Sequence, residues 1–223
     1  MSSSQFKLLL LLQIVTLFLV GMLFFKPSAV SNVGKPLSGI PVKGIAGKNV
    51  GKVAFGDNYV FGSPEAKNEL VVFSRYNCGF CRDFYNETFD SLKVKYVLTG
   101  KLKIVFMDNV NPTDQQGMLM AQVAEIGKQL DLYEAIQTQL YKGNQPEDSL
   151  EVIERALSVG MNEQQLKDLL GKTETTESVL KDNLEVDRLQ LTGTPSFVIN
   201  GNIIVGFKGY QEFITQMEQF MVQ

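Results

Sequence analysis

The two cysteines of this chain, Cys78 and Cys81, stand two residues apart where one sequence pattern stops and another begins. Before them, residues 69–74, ELVVFS, form a short continuous apolar run, as a strand buried on both faces does. After them, Phe84, Phe89, Leu92 and Tyr96 recur at helical spacing through residues 80–98, and Gly100 closes the helix. Residues 103–107, KIVFM, form the next buried run. Residues 69–107 are therefore expected to form a strand–helix–strand unit with both cysteines at the strand-to-helix turn.

The rest of the chain extends this unit on both sides. Residues 52–55 and 58–61 read as short strands separated by Gly56 and Asp57. Beyond Asn111-Pro112, apolar positions at three- and four-residue intervals predict helices over 114–130, 131–142, 148–158, 162–170 and 174–191, with Asn162 as an N-cap. Residues 196–200 and 202–207 read as strands joined by Asn200-Gly201, a strong hairpin signal. An amphipathic helix over 209–222 ends the chain. The expected fold is α/β: a sheet in two parts, 53–111 and 192–223, interrupted by an all-helical insertion over 112–191.

The amino-terminal segment is different in kind. Residues 8–25 are an apolar run of 18, preceded by Lys7 and ended by Lys26-Pro27. At about 1.5 Å per residue such a helix just crosses a hydrocarbon core. Residues 1–26 are read as a signal anchor or as a signal peptide cleaved after Ser31, where Ala29 and Ser31 supply small residues. Either reading sends the following domain across a membrane. Counting lysines gives the opposite orientation, since five follow the span by residue 52 and only Lys7 precedes it, but that rule weakens for long translocated domains. Residues 27–52, rich in Gly, Pro, Ser and Lys without period, read as a flexible tether. A net charge of −3 gives no basic footprint for nucleic acid.

Three readings compete for the cysteines. As a structural staple, a bridge over so short a loop adds little through chain entropy. As a metal site, the pair lacks partners: structural zinc takes four ligands, chiefly Cys and His, and the chain has two cysteines and no histidine. As a redox pair, the placement suits the chemistry. Disulfide exchange needs a thiolate, and a strand-to-helix turn offers unpaired N–H groups and the positive end of a helix dipole. Cys78 is then the attacking thiol and Cys81, one turn further in, the buried thiol that resolves a mixed disulfide. Gly79 permits close approach of another chain and Phe80 gives the site an apolar face. Gly193-Thr194-Pro195-Ser196-Phe197 adds a second feature, for a proline fits best at a strand's first residue, although a lone X-Pro ordinarily marks a trans turn.

With VVFSRYNCGFC at a helix start and GTPSFVING before a strand, residues 50–222 resemble the thioredoxin superfamily. The helical insertion makes the resemblance narrower, to the DsbA-like exported thiol–disulfide oxidoreductases. The resemblance implies that Pro195 is a cis-proline facing the cysteines and that Thr194 presents backbone groups to an extended substrate chain. It implies no cofactor beyond the Cys78–Cys81 disulfide itself. The implied partners are exported cysteine-containing proteins and a membrane redox partner, either a quinone-linked oxidase or a reducing relay. The implied location is the periplasmic or extracytoplasmic side of the membrane.

The departures from the family bear on direction. Many strong oxidants of the group carry Pro-His between the cysteines, where Gly79-Phe80 stands here, so a milder potential is expected. Arg82 is a candidate replacement for the missing cation. Many members also bury an acid six residues before the first cysteine, to exchange protons with the resolving thiol; here that position is Val72. Glu69 and Asp108 are candidate substitutes, although the ordinary reading of each is a solvated strand-end charge. Introduction of disulfides leads, with isomerase or reductase activity as the alternative. In a third reading, a membrane-anchored binding module keeps the fold without catalysis.

Overall fold

The computed structural model describes residues 46–223; the expected anchor or signal segment and most of the tether lie outside the described residues. Among the described residues no helix is long and apolar enough to cross a membrane.

The sheet has five strands: β1 (Val60–Phe61), β2 (Asn68–Ser74), β3 (Leu102–Asp108), β4 (Ser196–Ile199) and β5 (Asn202–Val205), in the spatial order β1-β3-β2-β4-β5. Only β2 and β3 are parallel, from Asn68 beside Leu102 to Ser74 beside Asp108. The helix joining them, α1, covers residues 79–97. Its first turns, Gly79–Phe84, are α-helical, whereas Tyr85–Phe89 and Lys93–Val97 take the wider π form. The wide turns account for the five-residue gap from Phe84 to Phe89, which a regular helix of 3.6 residues per turn would carry off the buried face.

Both faces of β2 are covered, and alternation decides what covers each. Leu70 and Val72 join Phe84, Phe89, Leu92 and residues of the helical insertion in one cluster. Val71 and Phe73 face the other way and pack with Val105, Val186 and Leu189. The continuous apolar run 69–74 follows from this double burial.

Between β3 and β4 lie α2 (Gln115–Gln129), α3 (Tyr133–Tyr141), α4 (Ser149–Ser158), α5 (Glu163–Leu170) and α6 (Thr173–Leu189); α7 (Tyr210–Glu218) follows β5. The break between α2 and α3 comes from Asp131, whose φ of 59° turns the chain, with Leu132 N–H bonding back to Gly127 C=O at 2.7 Å. Asp148 and Asn162 cap α4 and α5 by accepting from Glu151 N–H (2.9 Å) and from Gln164 and Gln165 N–H (2.9 and 3.1 Å).

Three expectations need correction. Residues 52–55 form no strand: residues 47–50 instead line the free edge of β5, where Val50 N–H bonds Gly201 C=O at 2.7 Å and Ile203 N–H bonds Lys48 C=O at 3.2 Å. This contact covers an edge that would otherwise be open to pairing with another chain. The strand expected over 58–61 shortens to Val60–Phe61, because Asn58 closes a turn onto Phe55 C=O and sends its side chain to Asp182 at 2.8 Å. The strand expected over 202–207 stops at Val205, since Gly206 takes a φ of 75°. The hairpin turn itself has Asn200 and Gly201 both at positive φ, 47° and 84°, and Gly201 lies so close to Gly51 C=O that a side chain there would collide.

Candidate active site

The C-terminal ends of β2 and β3 and the start of β4 lie together, because Phe73 pairs with Ser196 and Ser74 with Asp108. The cysteines follow β2 directly. Cys78 is the N-cap of α1, with extended backbone (φ −99°, ψ 123°), and Cys81 lies within its first turn. Both are free thiols, Cys78 at the molecular surface with 9 % of its area exposed and Cys81 almost fully enclosed at 1 %. Opposite them the Thr194–Pro195 peptide bond is cis, and the Cys78 thiol donates to Thr194 C=O at 3.4 Å.

The two sulfurs are driven apart in acidity. The Cys78 thiol is pulled down to about 5. The chief cause is the hydrogen bond from Cys81, followed against desolvation by a bond to the Thr194 side chain and by the positive charge of Arg75. The Thr194 hydroxyl is buried with no hydrogen-bond partner, so it is free to donate to a thiolate at Cys78. Cys81 is pushed far above the ordinary thiol range, first by burial and then by the neighbouring Cys78. A thiolate at the surface above a protonated buried thiol is the arrangement that disulfide exchange requires.

Packing holds α1 against the sheet. Phe84, three residues beyond Cys81, is fully buried, with its ring 4.7 Å from Phe197, 5.1 Å from Phe213 and 5.6 Å from Phe207. The turn before the cysteines is tied to the helical insertion. Asn77 donates to the Asp114 carboxylate at 2.5 Å, and the same carboxylate caps α2 through Gly117 N–H at 2.9 Å. Gly117 leaves room for this clamp, since a Cβ there would meet Asp114 Oδ2 at 2.7 Å.

The remaining candidates separate. Gly79 is open, with nothing within 4 Å of where a Cβ would be, and Phe80 is 64 % exposed beside it. Both are exposed next to Cys78. Arg82 does not face Cys78. It donates to Tyr141 C=O (2.7 Å), Gly143 C=O (3.2 Å) and Tyr76 C=O (3.3 Å), and so fastens α1 to the insertion. The cation acting on Cys78 is Arg75. Glu69 lies at the far end of β2 and pairs with Lys103 at 3.3 Å, so it has no part in the site. Asp108 is at the right end of the sheet, half-buried, its carboxyl raised well above the usual range by burial and by Asp182. Its charge acts on Tyr76, Tyr133 and Tyr141 rather than on either cysteine. Among the described residues no group of three or more His, Cys, Asp or Glu is placed to hold a metal ion.

Three residues of the site, Ser74, Arg75 and Tyr141, had no role in the sequence reading. Ser74 closes β2 with its hydroxyl 2.7 Å from the Tyr141 hydroxyl, and it acts against the upward shift of the Cys81 thiol. Ser74 and Arg75 stand within the SRYNC run and could have been noticed there. Tyr141 ends a helix 60 residues beyond Cys81, and no local pattern marks it.

Fold and site together define a thiol–disulfide oxidoreductase. A family model described as Thioredoxin matches residues 55–219, and the chain belongs to that family. It is 26% identical over 160 residues to the "Probable disulfide bond formation protein D" of Bacillus cereus, covering 67% of this chain and 73% of the relative. The crystal structure of oxidised BdbD from Bacillus subtilis superposes with a TM-score of 0.68 at 22% identity, over 78% of this chain and 97% of that one. That of alpha-DsbA1 from Wolbachia pipientis gives 0.62 at 19% identity, over 74% and 90%.

Proposed function

We propose that the protein introduces disulfides into exported proteins, held at the outer side of a membrane by residues 8–25. The placement of Cys78 carries this reading: it caps α1, donates to Thr194 C=O of the cis Thr194–Pro195 bond at 3.4 Å and is held low, to about 5, without any histidine. A thiolate that is stable at neutral pH favours the dithiol form of the enzyme, which makes the disulfide form a stronger oxidant. Gly79-Phe80 argues for a milder potential; against it, Cys81, Thr194 and Arg75 each favour the charged form of Cys78.

In the oxidising direction a substrate thiolate attacks Cys78 Sγ of the enzyme disulfide. The Cys78–Cys81 bond breaks and Cys81 leaves with the electron pair. The substrate's second thiol passes its proton to Cys81, and its sulfur attacks the mixed disulfide. Cys78 departs as a thiolate, the substrate is oxidised by two electrons and the enzyme is reduced by two. A membrane redox partner of the oxidase kind then takes those electrons from the Cys78–Cys81 dithiol. Phe80 and the Thr194 backbone receive the substrate chain through apolar contact and strand-like pairing, which suits varied sequences.

The test is to mix the oxidised protein with a reduced, unfolded protein that has one native disulfide. Stoichiometric disulfide formation within minutes is expected. Activity confined to rearranging already scrambled disulfides would replace this reading with the isomerase one.

A further inference from the structure

The Ser74–Tyr141 hydroxyl pair lies buried beneath the active site. Ser74 is 3 % exposed, Tyr141 1 % and Cys81 1 %, so all three polar groups are sealed from water. The two hydroxyls are 2.7 Å apart. Tyr141 is fixed in orientation by its ring, which stacks on Tyr85 at 4.7 Å and lies against Tyr76 at 4.7 Å. Its backbone carbonyl is held by Arg82 Nη1 at 2.7 Å and Asn86 Nδ2 at 3.2 Å. Each hydroxyl has one proton to give. If Tyr141 O–H donates to Ser74 Oγ, the Ser74 proton is left free for the Cys81 sulfur, whose charged form Ser74 favours.

We infer that Ser74, oriented by the positioning residue Tyr141, is the hydrogen-bond donor that holds Cys81 as a thiolate whenever Cys81 leaves or attacks. This inference rests on the exchange function proposed above. When a thiolate attacks Cys78 Sγ, the S–S bond breaks and the electron pair goes to Cys81 Sγ, which has no water to receive it. The Ser74 O–H shortens onto that charge, and the Tyr141 O–H follows onto Ser74 Oγ, each bond polarising the next. In reverse, the Cys81 proton leaves for the departing thiolate and the same two hydroxyls steady the attacking sulfur. Bonds to a charged acceptor are roughly twice as strong as neutral ones, so the pair favours the charged transition state over the resting thiol. With Val72 where related enzymes bury an acid, this uncharged device stabilises the buried sulfur without taking its proton.

The test uses the full chain and glutathione as the probe. Attack of glutathione on the oxidised protein expels Cys81, and rapid acid quenching followed by alkylation counts the product. Ser74→Ala should slow this step by about tenfold or more, and Tyr141→Phe, which keeps the stacked ring, by a smaller factor of about three to ten. A merely structural role is checked in a Cys81→Ala background, where the Cys78 thiolate attacks glutathione disulfide with no second sulfur present. There Ser74→Ala and Tyr141→Phe should each change the rate by less than about twofold. Equal losses in the two backgrounds, or no loss in either, would overturn the inference. Failure of the unsubstituted protein to react faster than free cysteine would instead remove the function on which it rests.

Discussion

Replacing Thr194 with valine keeps shape and the backbone carbonyl that the Cys78 thiol bonds at 3.4 Å, and removes only a buried hydroxyl with no hydrogen-bond partner. That hydroxyl is the second favourable influence on the Cys78 thiolate, after the bond from Cys81. Loss of one hydrogen bond to a charged sulfur costs about 1.4 kcal/mol, which raises the thiol by about one pH unit. From about 5, the midpoint should move to near ~6. A lowered thiol stabilises the reduced protein in full above the ordinary thiol value of 9.0, and this stabilisation is lost as pH falls toward about 5. The variant at pH 7 should therefore lose about 1.3 kcal/mol of that stabilisation and become roughly 30 mV more reducing. At pH 4, where both forms are protonated, the two potentials should coincide. The pH dependence of Cys78 alkylation gives the midpoint, and equilibration with glutathione at both pH values gives the potentials. An unmoved midpoint, or a shift in potential of the same size at pH 4, would refute the role given to this hydroxyl.

Cys81→Ser should halt exchange after the first step and accumulate substrates disulfide-linked to Cys78, visible as adducts on non-reducing gels that thiol treatment releases. Arg82→Ala removes a donor from three carbonyls, of which Tyr141 C=O keeps Asn86, and should lower stability by about 2 kcal/mol in urea denaturation, while the Cys78 alkylation midpoint stays within about half a unit because Arg82 does not act on that sulfur. Phe84→Ala empties the contact of α1 with β4 and α7 and should cost about 3–5 kcal/mol by the same measurement. Asp182 is raised from 3.8 to about 6 by burial, so its contribution to stability is complete below 3.8 and is lost as pH rises through about 6. Asp182→Asn should remove that loss, narrowing the stability difference between pH 4 and pH 7 by up to about 3 kcal/mol.

What could be read from the sequence follows the range of the forces involved. The run 69–74 and the helical period after it locate the cysteines, because burial on both faces of β2 leaves a local mark in composition. The Asn200-Gly201 turn is equally local, since both residues must take positive φ. The strand expected over 52–55 fails for a non-local reason: Val53 is buried, yet the hydrogen bonds available at the sheet edge are taken by residues 47–50. Charge is the least legible property. Arg82 and Glu69 are as plausible as Arg75 in one dimension, and only the fold turns Arg82 toward three carbonyls and leaves Glu69 at the wrong end of its strand. The absence of histidine by itself predicts a milder oxidant. The contribution of Thr194, 116 residues away from Cys78, has no signature short of the structure.

The central claim is that Cys78 and Cys81 form an oxidising pair without a histidine. It is tested most directly by the reduction potential of the unsubstituted protein in glutathione buffers at pH 7. A value above about −180 mV, toward the −120 mV of strong oxidants, is predicted. A value near −270 mV, typical of a reductase, would contradict it.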